Sequence, residues 1–307
     1  MIAGLVKKHS SSMSKIDSFA SRLPFWIAVS RLDRPAGWIV LLWPTWIALT
    51  LAASQADWSW QLWAIFTLGV ITTRSAGCVI NDLTDRKFDC HVKRTKNRPL
   101  TSGNMEVREG IGLAVSLLFI ALGLVLLTNI ETIFLSVIAL GFTIIYPWLK
   151  RITYWPQIGL GLAFSMAIPM AYSAHGAALD RQVWFLFAGN VAWTLSYDTF
   201  YAMVDRDDDL NIGVKSTAIL FGRFDLLAIA ISQFIALICF SAAFSAANTS
   251  WIAYLGIAGA VGFAIHQQII ARQKSRDAFF QAFLESHRFG AAVFAGVLLD
   301  RLLKILY

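Results

Sequence analysis

Nine long apolar stretches separated by short polar connections dictate what this chain can fold into. They span residues 37–54, 61–80, 110–128, 131–148, 156–174, 183–203, 225–246, 251–270 and 289–306. Each is close to the roughly 20 residues that a helix needs to cross the hydrocarbon of a bilayer. Inside that hydrocarbon every backbone polar group needs an internal partner, which helices supply. The chain is 57% hydrophobic and only 15% charged over 307 residues, whereas soluble domains are about a quarter charged. The reading is therefore an all-α polytopic membrane protein of about nine transmembrane helices. The last stretch is the poorest, because Asp300, Arg301 and Lys304 interrupt it. The third and fourth are divided only by Asn129, Ile130 and Glu131, which predicts an antiparallel helical hairpin.

The net charge of +7 does not describe a nucleic-acid binder, which needs a basic face on a soluble domain. Here the bases lie in connections between apolar runs, and most fall on one side. That side holds Lys7, Lys8, Lys15, Arg22, Arg31 and Arg34 before the first run, and Arg86 to Arg108 after the second. It also holds Lys150 and Arg151, then Arg206, Lys215 and Arg223, then Arg272 to Arg288. An excess of Lys and Arg marks the cytoplasmic face, so the N-terminus is expected there, and the chemistry with it. No apolar core of signal-peptide length precedes Pro24, so residues 1–30 read as an uncleaved cytoplasmic tail. Cys78, Cys90 and Cys239 form no C-x-x-C and read as free thiols. His9, His175, His266 and His287 have no partner at ligand spacing, and His91 reads as a loop residue. The 12 Trp read as interface anchors and packing. Gly159 and Gly161 are expected to let helices approach closely.

Two acidic clusters stand out. The first, at the end of the second run, places Asn81, Asp85 and Asp89 at i, i+4 and i+8, with Asp82 beside them. At helical period these positions stack along one face. The second, after the sixth run, is Asp205-Arg206-Asp207-Asp208-Asp209, with Asp205 and Asp209 at i, i+4 and Asp198 seven residues earlier. Four runs separate the clusters, so both fall on the same side of the membrane, a weak internal repeat. Facing carboxylates repel strongly in a partly dry site unless cations fill the gap. Oxygen-only ligands favour a hard cation, magnesium above all when phosphate oxygens complete its shell. Bases adjoin each cluster: His91 to Arg98, Lys150-Arg151 and Lys215. Acids to hold metal beside bases to hold an anion suit a diphosphate. Helix-end Asp residues are often only solvated caps, but an ionisable residue such as Asp198 inside an apolar run is expensive and points to function.

At these residues the sequence resembles the UbiA-type intramembrane prenyltransferases. The family pattern Asn-Asp-x-x-Asp-x-x-x-Asp falls on Asn81, Asp82, Asp85 and Asp89, and Asp-x-x-x-Asp on Asp205 and Asp209. The run from Asp85 to Leu100, the run Tyr197 to Asp209, Ile212 to Ala218, Arg31 to Gly37, Leu42 to Thr45, and Tyr146-Pro147 with Lys150-Arg151 also match. The resemblance covers about residue 31 onward and is nearest to the branch that prenylates 4-hydroxybenzoate for ubiquinone. It implies one transmembrane domain over residues 31–307, with helices around a central cavity in a bacterial inner membrane. It implies two Mg2+ ions between the motifs and a polyprenyl diphosphate. Asn81, Asp85, Asp89, Asp205 and Asp209 carry over as metal-site residues, and Asp85, Asp89, Asp198, Asp205, Asp209 and Arg151 as catalytic ones. Lys93, Arg94, Arg98 and Lys150 are then candidates for the diphosphate, and Arg151 for the acceptor's carboxylate or the diphosphate. Arg34, Tyr146, Tyr201 and Lys215 complete the expected substrate-binding set.

Two other readings compete. Dihydroxynaphthoate, homogentisate or a haem would be a different acceptor for the same chemistry. A cation transporter or channel would place acids deep in several helices and a polar vestibule on both sides. In this chain most acids lie at the ends of two runs, beside anion-binding bases. Partner proteins are not indicated by the sequence.

Overall fold

Apolar runs of this length become helices because no other backbone arrangement satisfies itself in hydrocarbon. The computed structural model of the protein describes residues 20–53, 57–91 and 94–306. Among the described residues every regular element is helical. A helix over 20–30 (α1) precedes α2 (Ala36–Ala52), α3 (Trp60–Asp89), the single turn α4 (Pro99–Ser102), α5 (Val107–Val125) and α6 (Ile130–Ile152). Then follow α7 (Pro156–Ser165), α8 (Ala167–Ala174), α9 (Arg181–Ile212) and α10 (Thr217–Phe221), and a 3-10 turn over Gly222–Phe224. The chain ends with α11 (Asp225–Ala246), α12 (Trp251–Ala271), α13 (Arg276–Leu284) and α14 (Ser286–Leu306).

Six segments are long and apolar enough to cross a membrane: Trp60–Asp89, Val107–Val125, Ile130–Ile152, Pro156–Ala174, Thr217–Ala246 and Trp251–Ala271. The other three apolar runs also fall on helix. The first is the 17-residue α2, and the sixth and ninth lie within α9 and α14. The charges that interrupt the ninth run gather in the last turns of α14. Asp300 accepts from the Ser250 N–H at 2.7 Å and pairs with Lys304 at 3.1 Å, while Arg301 donates to the Ala53 carbonyl. They fasten helix ends together and leave residues 289–299 of α14 apolar.

Side-chain caps set several helix starts, as orphan N–H groups require. Ser59 caps α3, Asn129 caps α6 and Ser250 caps α12. Asn129 also donates to the Ser173 carbonyl, tying the short α5–α6 connection to α8. α5 and α6 bury little of themselves and present Phe119, Ile120, Phe134 and Val137 outward, the surface lipid covers. The interior is built from α2, α8, α9, α11, α12 and α14 around Trp193, Tyr172, Phe240 and Phe289. Trp43, Trp46 and Trp63 pack with Phe294, and Trp58 stacks on Trp63, near the start of α3 and away from its acidic end. α1 docks on α5, where Trp26 Nε1 donates to Glu109 at 2.6 Å and Arg22 Nε at 2.9 Å.

Glycine permits the closest helix contact, between α12 and α14. A Cβ on Gly256 would stand 2.5 Å from the Ala292 carbonyl oxygen, and one on Gly296 2.6 Å from that of Ala253. Gly161 also meets backbone, with a Cβ 3.2 Å from Val191 Cα, whereas Gly159 would meet only the movable side chain of Leu149. Gly256→Ala is expected to pry α12 from α14 and cost about 1–3 kcal/mol of stability, as overpacking does. Thermal unfolding in detergent measures it. Gly262→Ala, with nothing within 4 Å, is the control and should unfold with the parent.

Candidate active site

The last turns of α3 bury three carboxylates, Asp82, Asp85 and Asp89. Their i, i+3, i+7 spacing keeps them within one narrow face. The chain then folds back beneath them. Pro99 opens α4 and holds Arg98 extended (ψ 145°), as a residue before proline must be. From there Arg98 Nη1 reaches both Asp82, at 2.9 Å, and Asp89, at 2.8 Å. Thr95 adds a hydrogen bond to the Asp89 carbonyl at 2.9 Å. Arg31, in a left-handed turn (φ 56°), donates to Asp82 at 2.6 Å and to Cys78 Sγ at 3.5 Å.

The last turn of α6 supplies Lys150 and Arg151. Lys150 Nζ donates to Asp85 Oδ2. Arg151 is exposed, 3.9 Å from Asp85 Oδ1, and lies over the rings of Phe88 and Trp148 at 5.1 and 5.0 Å. Asp85 Oδ1 is buried without a hydrogen-bond partner. On α9, Asp205 takes Arg94 Nε at 3.1 Å on each oxygen, and Arg94 lies 4.7 Å above the Tyr201 ring. Burial works against the Arg94 charge, but Tyr201 and Asp205 hold the guanidinium above its ordinary value.

Lys150 and Arg94 bring the clusters together. Lys150 bonds Asp85 on α3 and feels Asp209 on α9, while Arg94 bonds Asp205 on α9 and feels Asp89 on α3. The two carboxylate stripes thus face each other across a pair of cations. Deeper in the bundle, Asp198 lies within electrostatic reach of Arg74 and Tyr146, and Tyr146 also of Asp85 and Tyr201. Among the described residues, no three His, Cys, Asp or Glu side chains gather closely enough to cage a metal by themselves.

Not every expected residue comes to this place. Arg34 is exposed, and its nearest carboxylate is Asp33 at 3.9 Å. Lys215 donates to the Ile152 carbonyl at 3.0 Å and closes the end of α6. Asn81 is half-buried on α3 beside the buried stripe, and Lys93 lies outside the described residues. Three residues of the site were given no site role from the sequence: Arg31, Asp82 and Arg74. Asp82 was legible, since the i, i+3, i+7 stripe with Asp85 and Asp89 is tighter than the i, i+4, i+8 one. Arg74 was legible as a cation inside an apolar run. The turn that aims Arg31 inward carries no sequence signal.

Helices that expose apolar faces to lipid, with facing acid clusters at one end, define an integral membrane protein with a polar site at the rim of its bundle. The chain belongs to the UbiA prenyltransferase family, whose sequence pattern matches residues 41–289. It is 48% identical over 279 residues to a 4-hydroxybenzoate octaprenyltransferase of Pseudoalteromonas translucida (strain TAC 125), covering 91% of this chain and 95% of that protein. Its fold matches the apo structure of a UbiA homolog from Aeropyrum pernix K1, with TM-score 0.76 at 24% identity over 86% of this chain and 97% of that one. It also matches a UbiA homolog from Archaeoglobus fulgidus bound to GPP and Mg2+, with TM-score 0.68 at 19% identity over 89% and 99%.

Proposed function

We propose that the protein transfers a polyprenyl group from polyprenyl diphosphate to the ring carbon ortho to the hydroxyl of 4-hydroxybenzoate, releasing diphosphate, in ubiquinone biosynthesis. The observation that carries the reading is the pair of carboxylate stripes facing across Lys150 and Arg94. The named activity of a relative 48% identical over nearly its whole length gives the substrates. Residues 31–307 form the enzyme domain, and of the expected cytoplasmic tail over 1–30 the part that forms α1 packs on α5 through Arg22, Trp26 and Glu109. About nine helices, α2, α9 and α14 included, cross a bacterial inner membrane with the acidic end in the cytoplasm, where the excess of Lys and Arg belongs.

The residues fit magnesium. Mg2+ in phosphate sites uses one or two protein carboxylates and takes its other ligands from phosphate and water, so no protein-only cage is needed. The buried Asp85 Oδ1 is an oxygen with no hydrogen-bond partner, free to take a metal ion. Asn81, Asp85 and Asp89 on one side, with Asp205 and Asp209 on the other, would hold two ions, which neutralise the charge gathering on the diphosphate. Lys150, Arg94 and Arg98 then exchange carboxylate for phosphate oxygens, with Lys93 nearby in sequence. The allylic C–O bond breaks and its electron pair leaves with the diphosphate. Electrons of the phenol ring form the new C–C bond, and the ring carbon loses its proton. Tyr146 offers an aromatic face for the allylic cation, Tyr201 supports the guanidinium of Arg94, and the helices around them exclude water that would quench the cation. The acceptor's carboxylate has two cations to choose from, the exposed Arg151 and the interior Arg74, about 16 Å along α3 from Asp85.

Membranes containing the protein, given polyprenyl diphosphate and 4-hydroxybenzoate, should form the prenylated acid in the presence of Mg2+ and none with a chelator, as read by mass spectrometry. Intact diphosphate in the presence of Mg2+ and folded protein would overturn the reading. Product from dihydroxynaphthoate or homogentisate instead would keep the chemistry and change the acceptor.

A further inference from the structure

The acidic end of the bundle holds a second charged place, on the opposite side of α9. A cleft of about 280 Å3 lies between α9, the 3-10 turn, the start of α11 and the α12–α13 connection. Its walls include Arg206, Arg223, Lys274 and Arg276 with Asp207 and Asp225, and Asp208 behind the wall also holds Arg276, at 3.0 Å. Helical period separates it from the reaction site. Asp198, Asp205 and Asp209 share one face of α9, and Arg206 and Asp207 point some 100–200° away from Asp205.

Both acids of the cleft are already engaged. Asp225 accepts from Arg206 and, at 2.6 Å, from the Leu226 N–H, and Asp207 takes Arg276 at 3.2 Å. Among the described residues no carboxylate lies within ion-pair reach of Arg223 or Lys274. Arg206 Nε is buried with no acceptor, an arrangement that costs free energy until an acceptor arrives. Below the cleft, α11 exposes an apolar ladder of Leu227, Ile231, Phe234 and Ile238, at i, i+4, i+7 and i+11. Phe224, also exposed, stands at its head. Cations above and lipid-facing hydrocarbon below match a phosphate carried on acyl chains better than a free anion.

We propose that this cleft binds the phosphate of an anionic phospholipid, with the acyl chains lying along the exposed face of α11. The proposal needs α11 to lie in the bilayer and does not depend on the reaction or its substrates.

The purified detergent-solubilised protein should retain phosphatidylglycerol over phosphatidylcholine of the same chains in native mass spectrometry. The double variant Arg223→Gln/Lys274→Gln should hold phosphatidylglycerol about 30-fold more weakly, the loss expected from two cations at a lipid surface. Its prenyl transfer in detergent should be unchanged, and Arg223→Lys/Lys274→Arg should bind as the parent does. Inorganic phosphate forms the second arm. A phosphate-dependent thermal shift that the double variant loses, with no lipid preference in the parent, would assign the cleft to a soluble anion and overturn the lipid reading. Equal retention of the two lipids by the parent overturns it even if the double variant fails to fold.

Discussion

Asp85→Asn is expected to slow prenyl transfer by roughly 10^3-fold, the scale on which preorganised charge stabilisation is lost, while the protein stays folded. The substitution keeps the shape of the side chain and removes its charge. Asp85 is buried, yet only Oδ2 is hydrogen-bonded, by Lys150, while Oδ1 has no hydrogen bond and only the charge of Arg151 at 3.9 Å. A purely structural carboxylate would be tied down by more than one hydrogen bond, as Asp82 is by Arg31 and Arg98 together. Lys150 is a quarter exposed and already feels Asp209, so losing Asp85 does not strand it in a dry interior. The cost therefore falls on the transition state, where charge builds on the departing diphosphate. Rates of product formation at equal amounts of folded protein test this, with thermal unfolding alongside. A variant that retains a tenth of the parent's rate would remove Asp85 from the metal site. A variant that is slow only because it unfolds would show it in the melting curve.

The helices were legible because hydrocarbon imposes one solution on each apolar run, and all nine runs fall on helix. Their role as spans is less legible for α9, whose Asn190 and Asp198 dilute the apolar signal, and for α2, which is short at 17 residues. The break between α7 and α8 at Met166 also left no mark in hydropathy. At the site, helical period aligned acids along a face of α3 and a face of α9, because period is a property of each helix alone, although the buried stripe on α3 is Asp82, Asp85 and Asp89 with Asn81 beside it. The bases were harder, since a cation in a connection can turn either way and local backbone decides. The left-handed Arg31 turns inward to Asp82, while Arg34, three residues on, stays exposed. Lys215 follows a second cluster just as Lys93 and Arg94 follow the first, yet it closes the end of α6. Spacing in sequence does not encode which carbonyl or carboxylate a flexible ammonium will meet.

Asp82→Ala should destabilise the protein by about 3–5 kcal/mol, the usual result of removing one partner from a buried ionic cluster. Asp82 is 1% exposed and receives Arg31 and Arg98 on the same oxygen, at 2.6 and 2.9 Å. Without it, Arg31 retains only the weak contact with Cys78 Sγ, and Arg98 is left to Asp89 alone. Arg31 links the turn before α2 to α3, and Arg98 links α3 to the start of α4, so the loss loosens two connections around the reaction site. Thermal unfolding in detergent should therefore separate two neighbours on one helix, with Asp82→Ala melting early and Asp85→Asn melting near the parent. A paired replacement sharpens the assignment. Arg31→Met with Asp82→Leu removes both charges and fills the space, so it should recover much of the stability lost by Asp82→Ala, because apolar groups of similar size often replace a buried ion pair without penalty. Prenyl transfer should recover with it to the extent that Asp82 and Arg31 serve only to pack the turn before α2 against α3. If the paired variant is stable yet inactive, the charge of Asp82 or of Arg31 serves the reaction itself; if Asp82→Ala melts with the parent, the cluster contributes nothing to the fold.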